Sequence, residues 1–104
     1  MNGNLIKQAE LIKSLAHPTR LLIIKELADG EKCVCRLRDA AGADISTVSR
    51  HLAILKNTGI VSSRKAGTHI FYSLACRCTA EFFSCIEKMT DHKTGGNHYA
   101  RKHI

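Results

Sequence analysis

Apolar positions recur at helical spacing along most of this chain and switch once to strict alternation. Leu5, Ile12 and Leu15 give residues 5–15 a partial apolar stripe, the mark of a short amphipathic helix. His17 and Pro18 interrupt it, and Pro18 suits the first turn of a following helix. That helix runs through Thr19 and Arg20 to about Ala28, with Leu21, Leu22, Ile24 and Leu27 apolar, and reads as the central buried one. Asp29 and Gly30 end it. Residues 33–41 form another short helix, and Gly42, Ala43 and Asp44 make the turn of a helix-turn-helix.

Residues 45–74 hold the clearest pattern. Ser46 and Thr47 are good N-cap types, Val48, Leu52 and Leu55 share one helical face, and Gly59 stands where a left-handed C-cap is wanted. Alternation then takes over. Ile60 and Val61 lead to a basic turn at Arg64, Lys65, Ala66 and Gly67, and Ile70, Tyr72 and Leu74 follow on one side. The outline is a winged helix-turn-helix, mainly α with a small β-hairpin. A last helix over residues 79–90 carries Phe82, Phe83, Ile86 and Met89 on a face too apolar to leave uncovered. The tail, residues 92–104, has a Gly pair, His92, His98 and His103, and no periodicity, so it is expected to be flexible. The globular domain is expected to span residues 1–91.

With 104 residues, no Trp and few aromatics, the chain has room for one domain with an aliphatic core. The net charge of +7 points to a polyanionic partner. That charge is one-sided: residues 45–80 hold no Asp or Glu but include Arg50, Lys56, Arg64, Lys65 and Arg77. With the core face of the helix assigned, Ser46, Thr47, Ser49, Arg50 and Lys56 point outward, with His51 beside Arg50. Such groups reach base edges and phosphates of double-stranded DNA, and Arg64 and Lys65 extend the basic surface into the hairpin. No apolar run approaches the ~20 residues that span a bilayer. Residues 1–14 lack a signal-peptide core, because Lys7, Gln8, Glu10 and Lys13 interrupt them. A cytoplasmic location and no membrane partner follow. An enzyme is not expected: there is no C-x-x-C, no βαβ pattern and no paired acid and base.

The five cysteines are an odd number, arranged as Cys33/Cys35, Cys76/Cys78 and a single Cys85. Pairs of reduced thiols suit soft-metal or redox chemistry, whereas Cys85, within FFSCI, reads as packing. Side chains two apart on a regular helix lie about 200° apart. Chelation by Cys33 and Cys35 therefore implies an unwound helix start, a candidate means of coupling an effector to the DNA-reading helix.

The segment VSRHLAILKNTGIVSSRKAGTHIFYSL resembles the recognition helix and wing of the ArsR/SmtB metalloregulatory repressors. LAHPTRLLIIKEL and CVCRLRDAAG match the first half of that family, in order and at the right spacing, so the resemblance covers about residues 9–89. It implies a homodimer that binds an operator without any cofactor, pairs its first and last helices across the interface, and is released by a metal or other inducer. Cys33-Val34-Cys35 matches the core of a motif that binds arsenite, antimonite or cadmium. The third cysteine of that motif is replaced here by Arg38, so a third ligand must come from elsewhere, as a thiol or a non-sulfur group. Cys76 and Cys78 occupy the positions where zinc, nickel or cobalt sensors open their last helix with metal ligands. The ligands from the other protomer would fall at Met89 and His92, which suggests a sulfur-rich site of Cys76, Cys78 and His92. The resulting expectation is a repressor released by arsenite, antimonite, cadmium or a zinc-type ion. Its nearest rival is the same fold sensing reactive sulfur or oxidants through disulfide chemistry. A single four-thiolate site and a DNA-binding protein without a sensor are the other readings.

Overall fold

The computed structural model describes residues 2–91; the predicted tail, including His92, His98 and His103, lies outside the described residues. Helix α1 (Gly3–Leu15) leads to α2 (Pro18–Ala28), a two-residue strand β1 (Lys32–Cys33), α3 (Val34–Ala41) and α4 (Ile45–Asn57). Strands β2 (Val61–Ala66) and β3 (His69–Leu74) form the hairpin, and α5 (Cys78–Thr90) closes the chain. This is the expected winged helix-turn-helix, with one addition. The hairpin is part of a three-stranded antiparallel sheet in the order β1-β3-β2.

The core is aliphatic, as the composition demanded. Ile23, Ile24 and Leu27 of α2, Leu37 of α3 and Val48, Leu52 and Leu55 of α4 are nearly inaccessible to solvent, with Ile60 and Val61 closing one end. Each such side chain contributes about 1.5–3 kcal/mol relative to exposure. Helix α2 is central, but its buried face is centred on Ile23, Ile24 and Leu27, while Leu21 and Leu22 are only half-buried.

The turns carry the local chemistry. Asp44, rather than Ser46 or Thr47, caps α4: its carboxylate accepts from the Thr47 backbone N–H at 2.8 Å and from the Ser46 hydroxyl at 3.1 Å. Hydrogen bonds from the Thr47 side chain and backbone hold the Asp44 carboxyl below its ordinary range, as expected for a carboxylate at a helix N-terminus. At the other end of α4, the Ile60 N–H donates to the Leu55 carbonyl and the Gly59 N–H to that of Lys56. Gly59 has φ +81°. This is a Schellman stop, and buried Ile60 and Leu55 supply its apolar clasp. It aims the chain from α4 straight into the hairpin.

The hairpin turn lies further along than the basic cluster suggested. Lys65 pairs with Ile70 and Ala66 with His69, so Arg64 and Lys65 are strand residues and the two-residue turn is Gly67 and Thr68. Gly67 takes φ +63° while no other residue type in the described chain has positive φ. Glycine at the first position of a tight hairpin turn is the residue that permits this.

Candidate nucleic-acid interface and thiol centre

Helix α4 presents two different faces. Val48, Leu52 and Leu55 are buried, while Ser46, Ser49, Arg50 and Lys56 are exposed and Thr47 is half-buried. The outward set predicted from periodicity therefore stands together along one side of the helix, Thr47 excepted in degree. His51 is used differently. Its Nδ1 accepts from Arg20 Nε at 3.1 Å, and its ring lies 4.5 Å from that of His17. Arg20 also donates to the Ser14 carbonyl at 2.9 Å. Burial, reinforced by the charges of His17 and Arg20, lowers the His51 pKa. His51 thus helps seat α4 on α2, and it is half-buried rather than presented with the exposed side chains of α4.

In the hairpin, Lys65 extends from β2 as an exposed cation. Arg64 is already engaged. Its guanidinium grips the Glu31 carboxylate with two hydrogen bonds of 2.7 and 2.8 Å and sits 5.0 Å over the Phe71 ring. That pairing lowers the Glu31 pKa and raises that of Arg64. Being solvent-exposed, the pair is worth little in stability, but it fixes where the wing's guanidinium points.

The first cysteine pair needs no unwound helix. Cys33 is the N-cap of α3, with extended backbone at φ −67° and ψ 148°, and Cys35 lies in the first turn. The half-helical character of a cap residue brings both sulfurs to the same side, so Sγ of Cys33 and Cys35 are 2.6 Å apart. The expected need to unwind is therefore overturned by a cap. Cys33 Sγ also accepts from the Cys35 backbone N–H at 3.4 Å. The hydrogen bond with the Cys35 thiol is the main cause that lowers the Cys33 pKa, and the same bond raises that of Cys35. The contact therefore favours deprotonation at Cys33 over Cys35, and the thiolate is the form that binds soft metals and attacks electrophiles.

Periodicity pointed nowhere near the third member of this centre. Strand β1 pairs with β3 so that Cys33 faces Phe71 across the ladder, and His69, which opens β3, reaches the same spot. Its Nδ1 is 3.8 Å from Cys33 Sγ, and the ligand atoms of Cys33, Cys35 and His69 all lie within 4.8 Å of one another. Two thiols and an imidazole are the donor types that suit a thiophilic ion. No run of residues could have announced His69, because its proximity follows from the register of a two-residue strand.

The second pair is in another state. Cys76 and Cys78 are joined by a disulfide at the start of α5, their Cα atoms 5.3 Å apart. Two free thiols were expected there; in this state neither sulfur is a thiolate, and His92, the expected companion ligand, lies outside the described residues. Cys85 is exposed rather than packed. Beside the disulfide lies an open groove of about 420 Å³ lined by Leu11, Ile12, Leu15, Cys78 and Phe82, between α1 and α5.

Comparison with known proteins fits this architecture. Residues 17–63 match the family described as "Bacterial regulatory protein, arsR family". An uncharacterized HTH-type transcriptional regulator of Methanocaldococcus jannaschii is 40% identical over 84 residues, covering 80% of this chain and 94% of that one. The chain belongs to the ArsR family. As an ArsR-family protein it is a DNA-binding transcriptional regulator by kinship. The HTH-type transcriptional repressor SmtB of Mycobacterium tuberculosis is 39% identical over 66 residues, 64% of this chain but only 49% of that protein. A homodimeric winged helix-turn-helix DNA-binding domain from Mycobacterium bovis superposes with a TM-score of 0.78 at 33% identity, covering 88% of this chain and 85% of that one. Among the described residues of this ArsR-family chain, no helix is long and apolar enough to cross a membrane.

Proposed function

We propose that this ArsR-family chain is a homodimeric transcriptional repressor, released from its operator by a thiophilic effector bound at Cys33 and Cys35. The observation that carries this reading is the paired sulfurs at the N-cap of α3, 2.6 Å apart, on the helix directly preceding the exposed basic face of α4. Arsenite, antimonite and cadmium are the effectors with the matching softness. Binding would favour whichever orientation of α3 suits the ligand; release follows if that orientation differs from the one DNA selects.

Exposure of Ser46, Ser49, Arg50, Lys56 and Lys65 supports the DNA contacts read from the sequence. Ser46, Thr47, Ser49, Arg50 and Lys56 are assigned to the major groove, Lys65 and Arg64 to flanking phosphate. Arg50→Ala should weaken operator binding by about 1–3 kcal/mol, the value of a lost base contact. Lys65→Ala should weaken all sequences alike and reduce the magnitude of the salt slope by about one. Arg64→Ala should have the smaller effect of the two wing variants, since Glu31 already holds that guanidinium. Fluorescence anisotropy at several salt concentrations measures all three. An Arg50 variant that binds operator like the parent would take α4 out of the interface.

The sensing role is tested with the doubly substituted chain. Cys33→Ser with Cys35→Ser should bind operator like the parent yet remain bound when arsenite or cadmium is added. Cys76→Ser with Cys78→Ser should still be released, at least in part. A second reading draws on the Cys76–Cys78 disulfide: the same repressor responding to reactive sulfur or oxidants through that pair. It predicts the opposite pattern, with release by polysulfide lost only in the Cys76/Cys78 variant.

A further inference from the structure

The Cys33–Cys35 pair lacks the third sulfur that pyramidal arsenic coordination favours, and Arg38, one turn along α3, cannot supply it. What stands beside the pair is a nitrogen. Cys33 ends β1 and caps α3, Cys35 lies in the first turn of α3, and His69 opens β3. Three separate positions thus converge on one point, with ligand atoms within 4.8 Å of one another. Two ligand atoms sharing a tetrahedral zinc ion lie about 3.5–3.8 Å apart, from bond lengths of about 2.0–2.3 Å. The Cys33–His69 distance of 3.8 Å already has that value. The two sulfurs, at 2.6 Å, need to part by about 1 Å to meet it, a change within the rotamer freedom of two half-buried side chains.

Resting on the sensor reading above and narrowing it, we propose that Cys33, Cys35 and His69 form a two-sulfur, one-nitrogen site for a zinc- or cadmium-type divalent ion. His69 is the ligand that brings the wing into the response. Two thiolates neutralise a dication, and imidazole is a good ligand for borderline ions and a poor one for arsenic, so the donor set selects divalent metal over arsenite. Its three positions belong to the two parts that flank the recognition helix: α3, the first helix of the helix-turn-helix, and β3 of the wing. An ion held by all three ties those parts together. The row beyond His69 continues the link. His69 meets the Phe71 ring edge-on at 6.4 Å, Phe71 lies under Arg64, and Arg64 is held by Glu31. Turning the His69 ring toward the sulfurs therefore disturbs the packing that aims the wing's guanidinium.

Cadmium alone is the probe, added to the reduced full-length chain. Thiolate-to-cadmium charge-transfer absorption reports the sulfurs, and the ring-nitrogen resonances of His69 report the imidazole. The parent should show two thiolates and a shifted His69 nitrogen. His69→Ala should keep the two-thiolate absorption but bind cadmium at least about 10–100-fold more weakly, the loss seen even for outer-shell partners of metal sites. His69→Cys should gain a third thiolate signal and bind arsenite more tightly than the parent, which checks the geometry independently of the alanine variant. Unchanged cadmium affinity in His69→Ala together with an unmoved His69 nitrogen would overturn the three-ligand site. The sensor reading would survive that result provided Cys33→Ser with Cys35→Ser still blocks release. If release persists in that double variant, the sensor reading itself fails, whatever His69 does.

Discussion

Leu52→Ala is expected to lower the unfolding free energy by about 2–5 kcal/mol, the range for deleting a large aliphatic side chain from a packed core. Leu52 is 0% exposed, between Val48 and Leu55 on the buried face of α4. Its removal leaves a cavity where α4 meets α2, the contact on which the exposed basic face depends for its position. Domains of this size have only about 5–15 kcal/mol of stability in total, so the variant should melt many degrees lower and lose operator affinity through unfolding. Urea denaturation followed by circular dichroism measures the change. Ile45→Ala is the control: Ile45 is 44% exposed at the first turn of the same helix and should cost no more than about 0.5 kcal/mol. Equal losses in the two variants would mean that α4 does not bury the face described.

Phe82→Glu should convert the proposed dimer to a folded monomer. The outer faces of α1 and α5 together expose Leu5, Ile6, Leu11, Ile12, Phe82 and Met89. A patch of that size on a small domain marks an interaction surface, and a second copy of the same face can cover it by twofold symmetry. The choice of residue matters. Phe83, predicted to share this face, is half-buried and packs instead against the buried core, so a charge there would unfold the chain and say nothing about assembly. Phe82 borders the groove between α1 and α5. A buried aromatic at the centre of an interface is worth about 2 kcal/mol or more, so dimer dissociation should rise at least about 30-fold. Sedimentation at micromolar concentration distinguishes the outcomes. A parent that sediments as a monomer, or a Phe82 variant that stays dimeric, would remove this face as the interface. Loss of the dimer should also weaken operator binding steeply, because one protomer engages one half-site alone.

The two kinds of prediction draw on different information, as the residues themselves show. The buried trio Val48, Leu52 and Leu55, the exposed Arg50 opposite them, the stop at Gly59 and the alternation of Ile70, Tyr72 and Leu74 were all legible in the chain. Each depends on residues a few positions apart, where helix and strand periods are set by local backbone geometry. Small errors at the edges have the same origin. Asp44 outcompeted Ser46 and Thr47 as the cap, and Gly67 with Thr68, rather than the basic residues, made the turn, because neighbouring residues of similar propensity compete and only the packed chain selects one.

What tertiary structure alone decided lies between residues about thirty positions apart. Arg20 meets His51, Arg64 meets Glu31 and Cys33 meets His69 at sequence separations of 31, 33 and 36. Periodicity assigns a side chain to a face of its own element; it says nothing about which other element that face will touch. Strand register and the packing of α2 against α4 make that choice. So the two faces of α4, which come from its own spacing, could be recognised before folding was considered. The thiol centre could be named only in part. Its two cysteines are neighbours in the chain, but the unwinding they seemed to require disappeared once Cys33 became a cap, and their imidazole arrived with the pairing of β1 to β3.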